Sequence, residues 1–431
     1  MQILADNAFD DRLKFFRRLI LSFIEDAFRS IDLIDLFKKQ VDIDLIDPAV
    51  VSIGKAAYSM FDGFIKVFGY SDAVIVSNLS TIPELERVVY IRGGHPLPDE
   101  GSINGAHTVL KFIQNLDAKK DLVFLISGGG SAMFELPRVP LNDLVVVNKI
   151  LLNSGASIEE INTVRKHISL VKGGQILKRL KNRAFAFLMS DVPGDRIDLI
   201  ASGLTACDPT TFVDAKKILE KYELMEKIPL SVREIILRGV EGLEEETVKD
   251  CEFVNEKVKS YVILKNRDFL DNIKVRAEEN GFKVFDLGPD NHIDADSLVD
   301  KFLKLAKSFS SFKDKPFLII AGGEAGTKVL NPLGKGGRSQ ELVLRVALKL
   351  TSLNLNFVFL AIGTDGIDGS SEAAGSICDN QTLKRANKKG LNPVEFLVAN
   401  NAFYFFEALG DIIITGPTGI NVKDVYCLLI F

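Results

Sequence analysis

LVFLISGGGSAM, running from Leu122 to Met133, is the stretch on which the reading of this chain turns. Leu122 to Ile126 is an apolar run with the length and branching of a buried strand. It breaks into Ser127, Gly128, Gly129, Gly130 and Ser131 before apolar residues resume at Ala132 and Met133. Open α/β sheets bind ligands at the carboxyl ends of their strands. Glycines there let the backbone enter left-handed conformations and approach a ligand closely. Successive N–H groups in such a turn form an anion-binding nest. The segment matches neither GxxxxGK[ST] nor GxGxxG, so neither of those nucleotide-binding families is indicated. A tight strand-to-helix turn without a ligand has the same composition, and the rest of the chain must decide between the two.

Outward from this stretch the same grammar recurs. The run from Ala49 ends in Gly54-Lys55, and Val88 to Ile91 runs into Arg92-Gly93-Gly94-His95. The run from Arg183 ends in Asp191-Val192-Pro193-Gly194-Asp195. Further on, Phe317 to Ala321 ends in Gly322-Gly323-Glu324, and Asn356 to Ile362 ends in Gly363-Thr364-Asp365-Gly366-Ile367-Asp368. Between the runs lie helical periodicities, as in Leu13, Phe16, Leu19, Ile20 and Ile24. Nearly all-apolar strands alternating with helices predict an α/β protein with two doubly wound, mostly parallel sheets, each covered on both faces. The acidic stretch EGLEEETVKD, Glu241 to Asp250, is the expected domain boundary. It separates an N-terminal Rossmann-like domain over 1–240 from a C-terminal α/β domain over 251–431. The last strand, Val425 to Ile430, is free to join either sheet. If the two sheets face each other, the polar strand ends line an active-site cleft between the domains.

Composition narrows the class. At 431 residues the chain is too long for one ordinary core. A net charge of -5 argues against a nucleic-acid surface. Cys207, Cys251, Cys378 and Cys427 are widely spaced with no CxxC pair, and read as free thiols in a reducing compartment. The opening MQILADNAFDDRLKFF has no basic segment before an apolar core, and no apolar run reaches membrane-spanning length. The expectation is a cytoplasmic protein with small-molecule partners and no nucleic-acid or membrane partner; a homodimer is left open.

Several candidates carry chemistry. Lys55 and Arg338 are cations on glycine-flanked turns, and Gly334-Lys335-Gly336-Gly337-Arg338 offers N–H groups, an ammonium and a guanidinium together. Asp191, Asp195, Asp365 and Asp368 are hard oxygen ligands of the kind Mg²⁺ takes alongside substrate phosphates. Phosphoryl transfer asks for such cations and for aligned reactants more than for covalent catalysis. Each residue also has an ordinary reading. Asp-Gly pairs form turns without metal. His95 before Pro96 fits a packed loop. Asn162, Arg165 and Lys166 fit the wet face of a helix, and Glu324 fits a turn cap.

Taken together, SIGKAA, GGHPLPDE, ISGGGSA, INTVRKHIS, SDVPGD, ASGLTACDPTT, GKGGRSQE, GTDGIDG and TGPTGINV resemble, in this order, the glycerate 2-kinases of the MOFRL type. The resemblance runs from about Ala49 to the C-terminus. Ala325, Ser339, Leu204 and Ser370-Ser371-Glu372 depart from the residues usual in that family. It implies two α/β domains and transfer of the γ-phosphoryl group of ATP to the 2-hydroxyl of D-glycerate, with Mg²⁺ or Mn²⁺. It also implies that Lys55 and Arg338 are the catalytic cations. Ser127 to Ser131 and Gly334 to Gly337 are then the expected phosphate-binding loops. His95, Asn162, Arg165, Lys166, Glu324 and Thr364 are expected at the substrate, and the four aspartates at the metal. The alternatives are a hydroxypyruvate reductase-type oxidoreductase, which the lack of GxGxxG opposes, or a non-catalytic sugar-acid or nucleotide-binding protein.

Overall fold

The computed structural model describes residues 2–3, 10–40, 42–309, 316–353 and 355–431. Residues 4–9, within the stretch read for a leader, lie outside them. Strand β1 (Gln2–Ile3) is followed by the helix Asp11–Ser30, whose N-terminus is capped by the Asp10 carboxylate accepting the N–H of Arg12. The inner face of this helix buries Leu13, Ile20, Leu21, Phe23, Ile24 and Ala27, and Arg17 with them. A buried guanidinium needs carboxylate partners, and Arg17 finds Asp379 and Asp411, which Arg385 shares. Those partners assign the opening helix to the C-terminal half of the chain, against the expected 1–240 domain. The chain divides into a unit of Met1–Asp32 with Lys265–Phe431 and a unit of Leu33–Leu264.

Within Leu33–Leu264 lie β2 (Ala49–Ile53), β3 (Ala73–Ser77), β4 (Val88–Arg92), β5 (Leu122–Ile126), β6 (Ala184–Met189) and β7 (Val258–Leu264). They form a six-stranded sheet in the order β4-β3-β2-β5-β6-β7. Every pair in it is parallel. Residues of β2, β3, β5 and β6 are buried throughout, which explains their unbroken apolar runs. This is the Rossmann strand order, and it reverses between β2 and β5.

The expected boundary at Glu241 to Asp250 is corrected by what that stretch touches. Thr247 Oγ1 donates to Asp208 at 2.8 Å, and Val248 N–H donates to Gly173 O at 3.0 Å. Arg138 holds Glu244, Lys178 holds Glu245 and His167 holds Glu246. The acidic residues are a strap over the parallel unit, and the division falls after β7. Cys207 and Cys251 are joined in a disulfide with a Cα–Cα distance of 5.1 Å, so two of the four thiols expected to be free are not. The strap lies between these cysteines and returns Cys251 to the loop that bears Cys207.

The other unit adds β8 (Lys283–Asp286), β9 (Phe317–Gly323), β10 (Phe357–Gly363), β11 (Gly375–Asp379), β12 (Ile412–Ile414) and β13 (Asp424–Ile430). The seven-stranded sheet has the order β1-β12-β11-β10-β13-β9-β8. Here the expectation of a parallel sheet holds only for β8 and β9; the other neighbours run antiparallel. The cause is connectivity. The loop of residues 364–374 returns β10 into β11 without a crossover, and the last strand enters between β9 and β10 against both. β13 is therefore central in this sheet and does not join the other one. Its residues are wholly buried.

Candidate active site

The reversal of strand order places the ends of β2 and β5 side by side, and the sequence there folds as one object. Gly54 has φ +120°, and a Cβ on it would stand 2.4 Å from Ser127 Oγ. Only glycine fits that backbone at that distance. Lys55 N–H then donates to Gly128 O at 2.9 Å, and Ala56 N–H to Ser127 Oγ at 3.0 Å. Ser127 is thus spent on joining the two turns. Gly129 has φ +82°, and a Cβ on it would lie 3.1 Å from His95 Cδ2 and 3.2 Å from Lys55 Cγ. Lys55 and His95 both rest against the glycine loop. Among the described residues, the N–H groups of Gly129, Gly130 and Ser131 meet no protein acceptor.

The loop continues into polar contacts. Ser202 Oγ lies 2.8 Å from Ser131 Oγ and 3.0 Å from Asn162 Oδ1. Ala201 and Ser202 hold this geometry at φ +47° and +57°. Non-glycine residues adopt that region at a cost of about 1–3 kcal/mol each. Asp191 and Asp195 follow β6 at the same edge of the sheet.

The helix Ile158–His167 supplies Asn162, Arg165 and Lys166. Its cations divide. Lys166 is buried and pairs with Asp208 at 3.3 Å. Burial alone would raise the Asp208 carboxyl, but Lys166, Thr210 and Thr247 hold it below the ordinary range. Lys166 is therefore an internal ion pair and not the wet face of a helix. Lys172 and Glu135 form a second buried pair, with burial pulling the lysine's pKa down. Arg165 donates from Nε to the neutral Asn148 Oδ1 at 2.6 Å. Burial lowers its pKa to about 10, with only partial compensation from Glu135.

In the second unit the helix Arg338–Leu350 starts directly after the Gly334–Gly337 stretch. Arg338 donates from Nε to Asp424 Oδ2 at 2.5 Å and from Nη2 to Glu324 Oε1 at 2.6 Å. Burial would lower its pKa, but the two carboxylates more than offset this and raise it. Asp424 is itself braced by the Tyr426 hydroxyl at 3.3 Å. Asp368 accepts the N–H groups of Ser339 and Gln340, at 3.0 and 2.8 Å, and so caps the helix. A Cβ on Gly337 would stand 2.2 Å from Asp368 Oδ1. Burial and the neighbouring Asp424 raise the Asp368 carboxyl to about 7. Lys335 pairs with Glu372 at 2.8 Å and sits 4.1 Å over the Phe403 ring. Thr364 Oγ1 bonds Lys423 O and accepts Val422 N–H, which fixes the strand ends.

Among the described residues, no three His, Cys, Asp or Glu side chains gather as a metal cluster. Of the four aspartates expected at a metal, Asp191 and Asp195 stand in one unit and Asp365 and Asp368 in the other. Mg²⁺ takes one or two carboxylates together with waters and substrate phosphates. Asp191 and Asp195, within one unit, match that number of carboxylates, whereas both oxygens of Asp368 accept N–H groups of the helix.

Residues 25–237 match a domain of unknown function (DUF4147), and residues 317–424 match the MOFRL family. A glycerate 2-kinase of Pyrococcus horikoshii is 39% identical over 391 residues, covering 88% of this chain and 87% of that protein. The chain belongs to the MOFRL-type glycerate 2-kinase family. A second relative in this family, a D-glycerate 2-kinase of Thermotoga maritima, is 36% identical over 422 residues, covering 92% of this chain and 97% of its own length. The crystal structure of glycerate kinase from Thermotoga maritima matches this fold with a TM-score of 0.80 at 33% identity, covering 96% of this chain and 99% of that one.

Sequence reasoning missed several residues of this MOFRL-type chain. Asp424, which holds Arg338, and Tyr426, which braces Asp424, stand in a strand read only for its apolar run. Their signal was a carboxylate at the mouth of an otherwise apolar segment. Glu135, the partner of Lys172, carried no local signal, and Asp208, the partner of Lys166, stood in ASGLTACDPTT without an assigned role.

Proposed function

We propose that this protein is a kinase that transfers the γ-phosphoryl group of ATP to the 2-hydroxyl of D-glycerate, giving 2-phosphoglycerate and ADP. The observation that carries the reading is Lys55 fixed against the glycine loop at the switch point of a Rossmann-order sheet, in a chain of this family. The hydroxyl oxygen forms a bond to γ-phosphorus, the bond to the β–γ bridging oxygen breaks, and the hydroxyl proton is lost. Lys55 and Arg338 supply positive charge where it builds on the phosphoryl and bridging oxygens. The open N–H groups of Gly129, Gly130 and Ser131 donate to phosphate oxygens. Gly334, Lys335, Gly336 and Gly337 form the second expected phosphate loop, with Lys335 drawn toward Glu372. Mg²⁺ or Mn²⁺, when bound, would neutralise phosphate charge, and Asp191 and Asp195 are the carboxylates suited to hold it. His95, Asn162 and Glu324 complete the substrate surroundings. Among the described residues no helix is long and apolar enough to cross a membrane; a cytoplasmic enzyme acting on small molecules is the matching expectation.

The test is a coupled assay of ADP formation with D-glycerate, run beside NADH oxidation with hydroxypyruvate. Glycerate-dependent ADP formation with no NADH consumption is expected. NADH oxidation without ADP formation would overturn the reading.

A further inference from the structure

Two arginines stand in this chain's site candidates, and their guanidinium groups are used in opposite ways. Arg338 has Nε and Nη2 on Asp424 and Nη2 also on Glu324. A carboxylate pairs with arginine in a fork, through two parallel N–H donors. Both forks that include Nη2 are therefore compromised at Arg338 by protein carboxylates. Arg165 differs. Its Nε is held by Asn148 Oδ1 at 2.6 Å, which fixes the plane of the guanidinium. Its Nη1 and Nη2 meet no protein acceptor among the described residues, and none of their carboxylates lies within ion-pair distance. Glu135, the acid whose charge it feels, is already occupied by Lys172 and by Ser169 Oγ.

A partly buried guanidinium without a carboxylate is costly unless an anion completes it. Arg165 is half-buried and is not sealed in the core as its neighbours Lys166 and His167 are. Position finishes the argument. Arg165 follows Asn162 by three residues on one helix, so the two share a face. Asn162 bonds Ser202, and Ser202 bonds Ser131 of the glycine loop. Arg165 thus stands one helical turn from Asn162, which two hydrogen bonds connect to the loop assigned to phosphate.

We infer that Arg165 is the carboxylate-binding residue for the acceptor acid, holding it through Nη1 and Nη2, and that Asn148 is the positioning residue that aims it. The inference rests on the glycerate kinase reading and adds to it. It assigns recognition of the acid's carboxylate to the Leu33–Leu264 unit and leaves Arg338 to the transferring phosphoryl group. A fixed fork also makes the enzyme selective for a planar anion over the corresponding neutral amide.

The experiment measures kcat and KM for D-glycerate and ATP in wild type, Arg165→Gln, Arg165→Lys and Asn148→Ala, with melting temperature followed in each. D-glyceramide serves as a neutral competitor substrate. Arg165→Gln should raise KM for D-glycerate about a hundredfold, in line with loss of one partner of a buried charge pair. Its KM for ATP should stay within about twofold. Preference for glycerate over glyceramide should collapse in Arg165→Gln. Arg165→Lys should recover only part of the loss, because an ammonium cannot form the fork, and Asn148→Ala should raise KM by a smaller factor. A folded Arg165→Gln with unchanged glycerate KM and unchanged preference would overturn the inference. If Arg165→Gln does not fold, Arg165→Lys decides: wild-type KM for glycerate would overturn the assignment of the fork. A wild type that makes no ADP with D-glycerate would instead remove the underlying reading.

Discussion

Arg338 is held so firmly that its removal has two separable effects. Arg338→Ala should lower kcat by about a hundred- to a thousandfold, the usual loss when one preorganised donor to developing charge is removed. KM for glycerate should change far less. The same substitution strands Asp424, which is buried. Breaking a buried pair costs about 3–5 kcal/mol, and partial exposure of Arg338 places the expected loss at about 3 kcal/mol or less. Arg338→Ala with Asp424→Asn should therefore regain melting temperature without regaining turnover. Equal recovery of both would mean that Arg338 matters only for folding. Lys55→Ala should likewise lower kcat by about a hundredfold. Asp368 makes a different prediction. Its folded pKa, raised to about 7 from 3.8, means that the folded state holds this proton where the unfolded chain releases it. Its contribution to stability is then present below the unfolded value and lost as pH rises toward about 7. Stability measured by urea unfolding between pH 4 and 7 should fall less steeply with pH in Asp368→Asn than in wild type.

Among the elements, the strap of Glu241 to Asp250 shows what sequence conceals. Acidic, glycine-containing segments look like linkers because their partners are remote in sequence. Here the partners are Arg138, His167 and Lys178, none of which signals its destination. The glycine loop was legible for the opposite reason: Ser127 to Ser131 and Gly54-Lys55 announce a tight turn within a few residues. Strand direction in the second sheet was not legible, since a strand buried on both faces has the same pattern running either way. The disulfide between Cys207 and Cys251 closes a span of 44 residues around the strap. By loop entropy alone such a closure stabilises by about 4 kcal/mol, an upper figure for a real bridge. Cys207→Ser, or wild type in strong reductant, should melt several degrees lower. The same melting temperature in both redox states would show that the strap's ion pairs suffice.

For the whole molecule, the proposed reaction sets its own condition. Activity should need Mg²⁺ or Mn²⁺ and disappear in chelator, while circular dichroism and melting temperature stay unchanged. The reason is that no buried metal cluster is found among the described residues and that the carboxylates suited to the ion stand at strand ends. Full turnover in excess chelator would remove the metal from the mechanism. Unfolding in chelator would instead reveal a structural ion.

The grip of Arg17 on Asp379 and Asp411 has a consequence in time. These groups are 362 and 394 positions apart in the chain. At roughly 5–20 residues per second of synthesis, the opening helix waits on the order of 20–80 s for its acids to emerge. During that interval Leu33–Leu264 has already left the ribosome with its parallel sheet complete. The nascent helix meanwhile carries Ile20, Phe23 and Ile24 beside an unpaired guanidinium. That charge on its apolar face makes it a poor partner for any hydrophobic surface that comes first. Burying that guanidinium before its carboxylates exist would be costly, so docking of this helix is expected to be a late event.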